Sequence, residues 1–161
     1  ISNCYSTGKV SNSNDSMVGG LVGRNSGSTI SYSYSNCTVS GSNNYYGVLV
    51  GENNSSSNIN NCYSMGVVNA SAYDVGGIVG YHSNSSTVSM SYSTGIISGG
   101  GRVGALVGTN NSTVTSSFWD TQTSGTNTGI GSGTTIGATG KTTAEMKTQS
   151  TFRRHACRPH Q

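Results

Sequence analysis

Ile59-Asn60-Asn61-Cys62-Tyr63-Ser64-Met65-Gly66-Val67-Val68 is the stretch on which the fold turns, because it occurs four times. Nearer the start it reads Ile1-Ser2-Asn3-Cys4-Tyr5-Ser6-Thr7-Gly8-Lys9-Val10, then Ile30-Ser31-Tyr32-Ser33-Tyr34-Ser35-Asn36-Cys37-Thr38-Val39. Further on it returns as Val88-Ser89-Met90-Ser91-Tyr92-Ser93-Thr94-Gly95-Ile96-Ile97. The starts at 1, 30, 59 and 88 are all 29 residues apart, and a partial fifth copy runs from Val114 to Phe118-Trp119-Asp120. A second block follows in phase: Gly19-Gly20-Leu21-Val22-Gly23, Gly47-Val48-Leu49-Val50-Gly51, Gly76-Gly77-Ile78-Val79-Gly80 and Gly104-Ala105-Leu106-Val107-Gly108. A fixed period of this length is the mark of a repeat architecture.

Each block is short, β-branched or aromatic, and bounded by Gly, Ser and Asn, which predicts strands joined by turns. A unit this small cannot bury its apolar face alone. Stacking units at about 4.8 Å covers that face and pairs the backbones of neighbours. The expected fold is all-β: a parallel β-solenoid, a right-handed β-helix with one coil per 29-residue repeat. Equivalent positions then become ladders. Ile1, Ile30, Ile59, Val88 and Val114 form one apolar column; Val10, Val39, Val68 and Ile97 form another; Leu21, Leu49, Ile78 and Leu106 form a third. Gly23, Gly51, Gly80 and Gly108 mark a corner that needs positive φ or close backbone approach.

Without the period, the composition would argue for disorder. Ser (30), Gly (24), Thr (19) and Asn (17) dominate the 161 residues, and hydrophobic residues are only 32%. A thin solenoid core tolerates this, since each coil contributes only a few inward side chains. The formal charge of +3 comes from Arg153, Arg154 and Arg158 near the end; the remaining Lys and Arg balance the five acids. A basic nucleic-acid surface is therefore not expected. No apolar run reaches the roughly 20 residues of a membrane span, so membrane insertion of this segment is not expected either. The chain opens at Ile1, inside a copy of the repeat and without Met, as expected for a piece of a longer chain.

A Gly-Gly-Leu-Val-Gly block following a Cys-Tyr-Ser-Thr-Gly block resembles the GLUG repeat family. The resemblance covers residues 1–120 and continues weakly into Gly140-Lys141-Thr142-Thr143-Ala144-Glu145-Met146-Lys147. It departs from the pattern at Cys37, where other copies carry Gly, and at Val48 and Ala105. Such repeats occur in large bacterial surface and secreted proteins, including adhesins similar to filamentous haemagglutinin and surface-anchored immunoglobulin A proteases. The resemblance implies a secreted or cell-surface setting, with host or surface glycans, receptor proteins and further repeats of a longer chain as partners.

The candidate contact residues are the column Tyr5, Tyr34, Tyr63 and Tyr92, continued by Phe118. Mutual stacking that stiffens the rod explains the column, and so does a platform for a glycan or receptor; the two are compatible. Cys4 and Cys62 share a column but lie two coils apart, about 9.6 Å at this spacing, beyond the roughly 7 Å a disulfide spans. Cys4, Cys37 and Cys62 are therefore expected to be small buried thiols. The acids Asp15, Glu52, Asp74, Asp120 and Glu145 fall in no shared column on adjacent coils, so the paired carboxylates of a glycosidase are missing. His82 stands where other coils carry Asn25, Asn53 and Asn110, which reads as a turn variant and not a base. There is no His-Glu-x-x-His, and Gly137–Thr142 lacks the strand and the glycine that a phosphate loop requires.

The expected organisation is a repeat array over 1–120, a Thr/Gly-rich closing segment over 121–152, and an aberrant or disordered tail over 153–161. Thr142-Thr143-Ala144-Glu145 has the form of a capping box that starts a short helix through about Gln149. No catalytic, cofactor-binding or metal residue is assigned, and no cofactor is expected. The leading expectation is a non-enzymatic structural and adhesive segment. The alternatives are an ice-binding solenoid, for which the mixed column Thr7, Asn36, Met65 and Thr94 is poorly suited, and a carbohydrate-active β-helix.

Overall fold

The computed structural model describes residues 1–148. The chain winds into a β-solenoid whose coils each contribute to four parallel sheets. The first face is built from Tyr5–Asn12, Tyr34–Gly41, Tyr63–Ser64 with Val67–Ala70, Tyr92–Ser93 with Ile96–Ser98, Ser117–Asp120 and Ala138–Lys141. The second holds Val18–Gly19, Tyr46–Gly47, Asp74–Gly76 and Arg102–Gly104. The third holds Val22–Ser26, Val50–Asn54, Val79–His82, Val107–Asn110 and Ile130–Gly133. The fourth holds Thr29–Ser31, Asn58–Asn60, Thr87–Ser89 and Thr113–Thr115.

The register is the one the period dictates. Tyr5 pairs with Tyr34 and Val10 with Val39, Ile30 with Ile59 and Ile59 with Val88. Two apolar clusters line the interior, one around Leu49, Ile59, Ile78 and Leu106, the other around Val39, Tyr46, Val68 and Val75. Ile59, Val68 and Leu49 are fully covered, whereas Ile1 is 56% exposed because its coil has a neighbour on one side only.

Serine has a structural use at one corner. The hydroxyls of Ser33, Ser91 and Ser117 accept from the amides of Cys4, Cys62 and Ser91, each one coil earlier. These are amides that the strand ladders leave over at the bend, and a buried unpaired amide would cost about 1–3 kcal/mol. Of the three thiols, Cys37 and Cys62 are buried as expected, but Cys4 is exposed, since no coil covers the first one.

The corner glycines Gly23, Gly51, Gly80 and Gly108 work by close approach and not by positive φ. A Cβ on Gly51 would lie 2.5 Å from the Met17 carbonyl carbon, and one on Gly80 would lie 2.5 Å from the Tyr46 nitrogen. Positive φ falls elsewhere, on Asn3, Tyr32, Asn61, Met90 and Ser116, one per coil where the fourth face bends into the first. Only glycine adopts that conformation freely, so the non-glycine corners are held by the coils around them.

Ile130–Gly133 and Ala138–Lys141 add strands to the third and first faces. The capping box is present: Thr142 Oγ1 accepts from the Glu145 amide at 3.2 Å, and Glu145 Oε2 accepts from the Thr142 amide at 2.8 Å. The helix spans Thr143–Met146. Gln149, the end expected for it, and the tail with His155, Cys157 and His160 lie outside the described residues.

Candidate functional site

The tyrosine column forms because residues 5, 34, 63 and 92 are register partners on the first face and point outward. Successive ring centroids are 5.3, 4.7 and 5.1 Å apart, with planes within 9° of parallel. The rings therefore spend their faces on one another. An aromatic face that stacks on a sugar must be free, and within the column only the outer face of Tyr5, itself 65% exposed, has no ring against it. Tyr34 and Tyr63 are half-buried. Tyr92 is 7% exposed and packs with Met146 of the terminal helix, while Phe118 lies against the same cluster. Of the four tyrosines, Tyr5, Tyr34 and Tyr63 thus keep part of the ring edge exposed, whereas Tyr92 is buried.

A second group gathers where the second face meets the third. Arg102 and Asp74 are register partners. Arg102 Nη2 donates to Asp74 Oδ2 at 2.9 Å, and Nε lies 2.7 Å from Oδ1. Thr109 Oγ1 donates to Asp74 Oδ1, and the guanidinium sits 4.4 Å from the centre of the Tyr73 ring. Asp74 is 1% exposed, so its charge is fully offset from within the fold. Tyr45 stacks on Tyr81 at 4.6 Å nearby. Burial, then the neighbouring Tyr81 and the carboxylates of Asp74 and Glu52, push the Tyr45 phenol above its ordinary pKa. Arg24 Nε lies 3.1 Å from Glu52 Oε2, as their shared position after the corner glycine predicts.

Sequence reasoning missed the Asp74–Arg102 pair although a signal was there. Each stands two residues before the opening glycine of its second block, Gly76 and Gly104. His82 takes the place expected for it in an asparagine row. Asn25 Nδ2 donates to Asn53 Oδ1 at 2.8 Å, and Asn53 Nδ2 lies 3.2 Å from His82 Nδ1. His82 Nε2 lies 3.1 Å from the Thr113 carbonyl oxygen. The only tautomer that satisfies both carries its proton on Nε2, donating to Thr113 and accepting from Asn53. Burial lowers its pKa. No group of three or more His, Cys, Asp or Glu among the described residues is arranged to hold a metal ion.

The sequence profile described as the GLUG motif matches residues 71–98, a span that includes the Gly76–Gly80 block and the Tyr92 block. Those residues carry the GLUG motif. Neither a curated protein nor a solved structure matches the chain. The GLUG match spans parts of two coils, and the register pairings carry the same pattern to the copies on either side. Each copy of the repeat thus supplies one rung to the ladders described above.

Proposed function

We propose that the chain is a non-enzymatic structural and adhesive repeat segment of a bacterial cell-surface or secreted protein, serving as a rod and as a binding surface for glycans or receptor proteins. The observation that carries this reading is the continuity of the ladders from coil to coil, which gives a stiff element with a repeated outer face. The carboxylates support the non-enzymatic part. Glu52 and Asp74 are held by arginines, Asp120 accepts from Thr143 and the Gln122 amide, and Glu145 caps its helix. A further coil of the same kind fits the free edge at Tyr5–Asn12, where it would stack a ring on Tyr5 and cover the half-buried Val10.

The test is a glycan array probed with the chain and with Tyr5→Ala and Tyr34→Ala. The expected result is retention of a defined glycan class by the chain and at least tenfold weaker retention by both variants. Equal retention by all three would remove the tyrosine edge from the reading. Cleavage of any polysaccharide in a substrate panel would overturn the non-enzymatic assignment.

A further inference from the structure

The last two strands of the first face end side by side, and their register decides which residues meet beyond them. Ser117–Asp120 pairs with Ala138–Lys141 so that Asp120 stands opposite Lys141. The Thr121 amide continues the ladder by donating to the Lys141 carbonyl at 2.9 Å. Next in line come Gln122 and Thr143, and there the contacts pass from backbone to side chain. The Thr143 amide donates to Gln122 Oε1 at 2.9 Å. The Thr143 hydroxyl donates to Asp120 Oδ2 at 2.7 Å. Asp120 Oδ1 accepts from the amides of Gln122 and Thr123 at 2.9 and 3.3 Å. Asp120 is 2% exposed, whereas Gln122 and Thr143 lie at the surface.

These contacts are the parts of an acyl transfer. A hydroxyl becomes a nucleophile when a base within hydrogen-bond reach takes its proton, and Asp120 Oδ2 is so placed. A carboxamide becomes an electrophile when a fixed donor holds the oxygen on which charge develops. Here that donor is the amide of the nucleophile's own residue, as in the oxyanion hole of serine proteases. Because amide and hydroxyl belong to one residue, the carboxamide is held beside the oxygen that would attack it. Helix capping does not account for the arrangement, since the capping box uses Thr142 and Glu145 and leaves the Thr143 hydroxyl to Asp120.

We propose that Thr143 and Gln122 form an intramolecular ester crosslink. Thr143 Oγ1 attacks Gln122 Cδ, a C–O bond forms, and the hydroxyl proton passes to Asp120 Oδ2. The oxyanion stays on the hydrogen bond from the Thr143 amide. The C–N bond then breaks, the leaving nitrogen takes the proton from Asp120, and ammonia departs into solvent. The step needs no oxidant or co-reactant, and Asp120 ends as it began. The bond ties the turn after Ser117–Asp120 to the start of the helix that seats Met146 beside Tyr92. It does not depend on the tyrosine edge or on any glycan.

Intact-mass spectrometry of the chain, after incubation at neutral pH, is expected to read one ammonia below the sequence mass. Trypsin cuts the denatured chain after Arg102, Lys141 and Lys147, so residues 103–141 and 142–147 should be recovered as one joined peptide that hydroxylamine separates. Thr143→Ser keeps the hydroxyl and should keep the joined peptide. Thr143→Val should abolish it, and Asp120→Asn should slow its appearance roughly a hundredfold. The full sequence mass in the wild type would overturn the crosslink. An ammonia loss that persists in Thr143→Val would place the change at an asparagine and overturn it too. Conversion of Gln122 to Glu with no joined peptide would do the same.

Discussion

His82 shows how far a single rung can differ from its column and still be accommodated. Imidazole supplies one acceptor toward Asn53 and one donor toward Thr113, as an asparagine side chain would, but it can also take a second proton. In the unfolded chain it titrates near about 6.5; burial holds the folded value lower. Above the unfolded value both states are neutral and the histidine is at its most favourable. As the pH falls below it the unfolded chain binds the proton first, so stability declines until the folded value is passed. Urea midpoints measured from about pH 7.5 to about pH 5 should fall for the wild type and fall less for His82→Asn; identical slopes would rule this out. At an apolar rung the expectation is one of size. Ile59→Ala, enclosed between Ile30 and Val88, should cost about 2–5 kcal/mol, while Ile1→Ala, half exposed, should cost much less by the same denaturation measurement. The Arg24–Glu52 pair is open to solvent on the arginine side only, since Glu52 is nearly covered; that exposure should still let salt weaken it and hold its contribution to about 1 kcal/mol.

Between elements, what decides stability is which residues share a space. Gly51 and Gly80 admit no Cβ because backbone of the adjoining turn already lies there, so Gly80→Ala should cost about 1–3 kcal/mol by overpacking. Trp119 and Gly129, which stand where the preceding coil has Ser93 and Leu106, share another: a Cβ on Gly129 would lie 2.3 Å from Trp119 Cζ3. Trp119→Ser alone empties the end of the core and Gly129→Leu alone collides with the ring, whereas the double variant restores the Ser–Leu arrangement of the earlier coils. A double-mutant cycle read by thermal melting should return a favourable coupling of about 0.5–3 kcal/mol, and additive effects would show that the two residues do not share the space. Such pairs explain what was and was not legible beforehand. The strands of the first and fourth faces and their register follow from the period of 29 between the first blocks, and the Arg24–Glu52 pair, 28 residues apart, follows from the shared position of both residues after the corner glycine. The left-handed corners at Tyr32 and Met90 did not follow, because neither residue signals that conformation locally. The burial of Tyr92 did not follow either, because it is Met146, from outside the repeat, that covers it.

Across the whole molecule, stability is a nearest-neighbour sum, so it should be greatest in the coils that begin at Ile30 and Ile59. Amide hydrogen exchange should be slowest there and faster around Ile1; uniformly fast exchange over residues 30–110 would be incompatible with a solenoid. The two ends of the described chain are also unlike. One presents an eight-residue strand, Tyr5–Asn12, with a free hydrogen-bonding edge. At the other, the strand Ala138–Lys141 pairs beside Ser117–Asp120, and the capped helix seats Met146 over the aromatic column. An exposed strand edge recruits other strands, and proteins blunt such edges to avoid it. On the first face the two ends therefore differ in what they offer a neighbouring molecule: the ring of Tyr5 is open to contact, whereas Met146 already covers Tyr92.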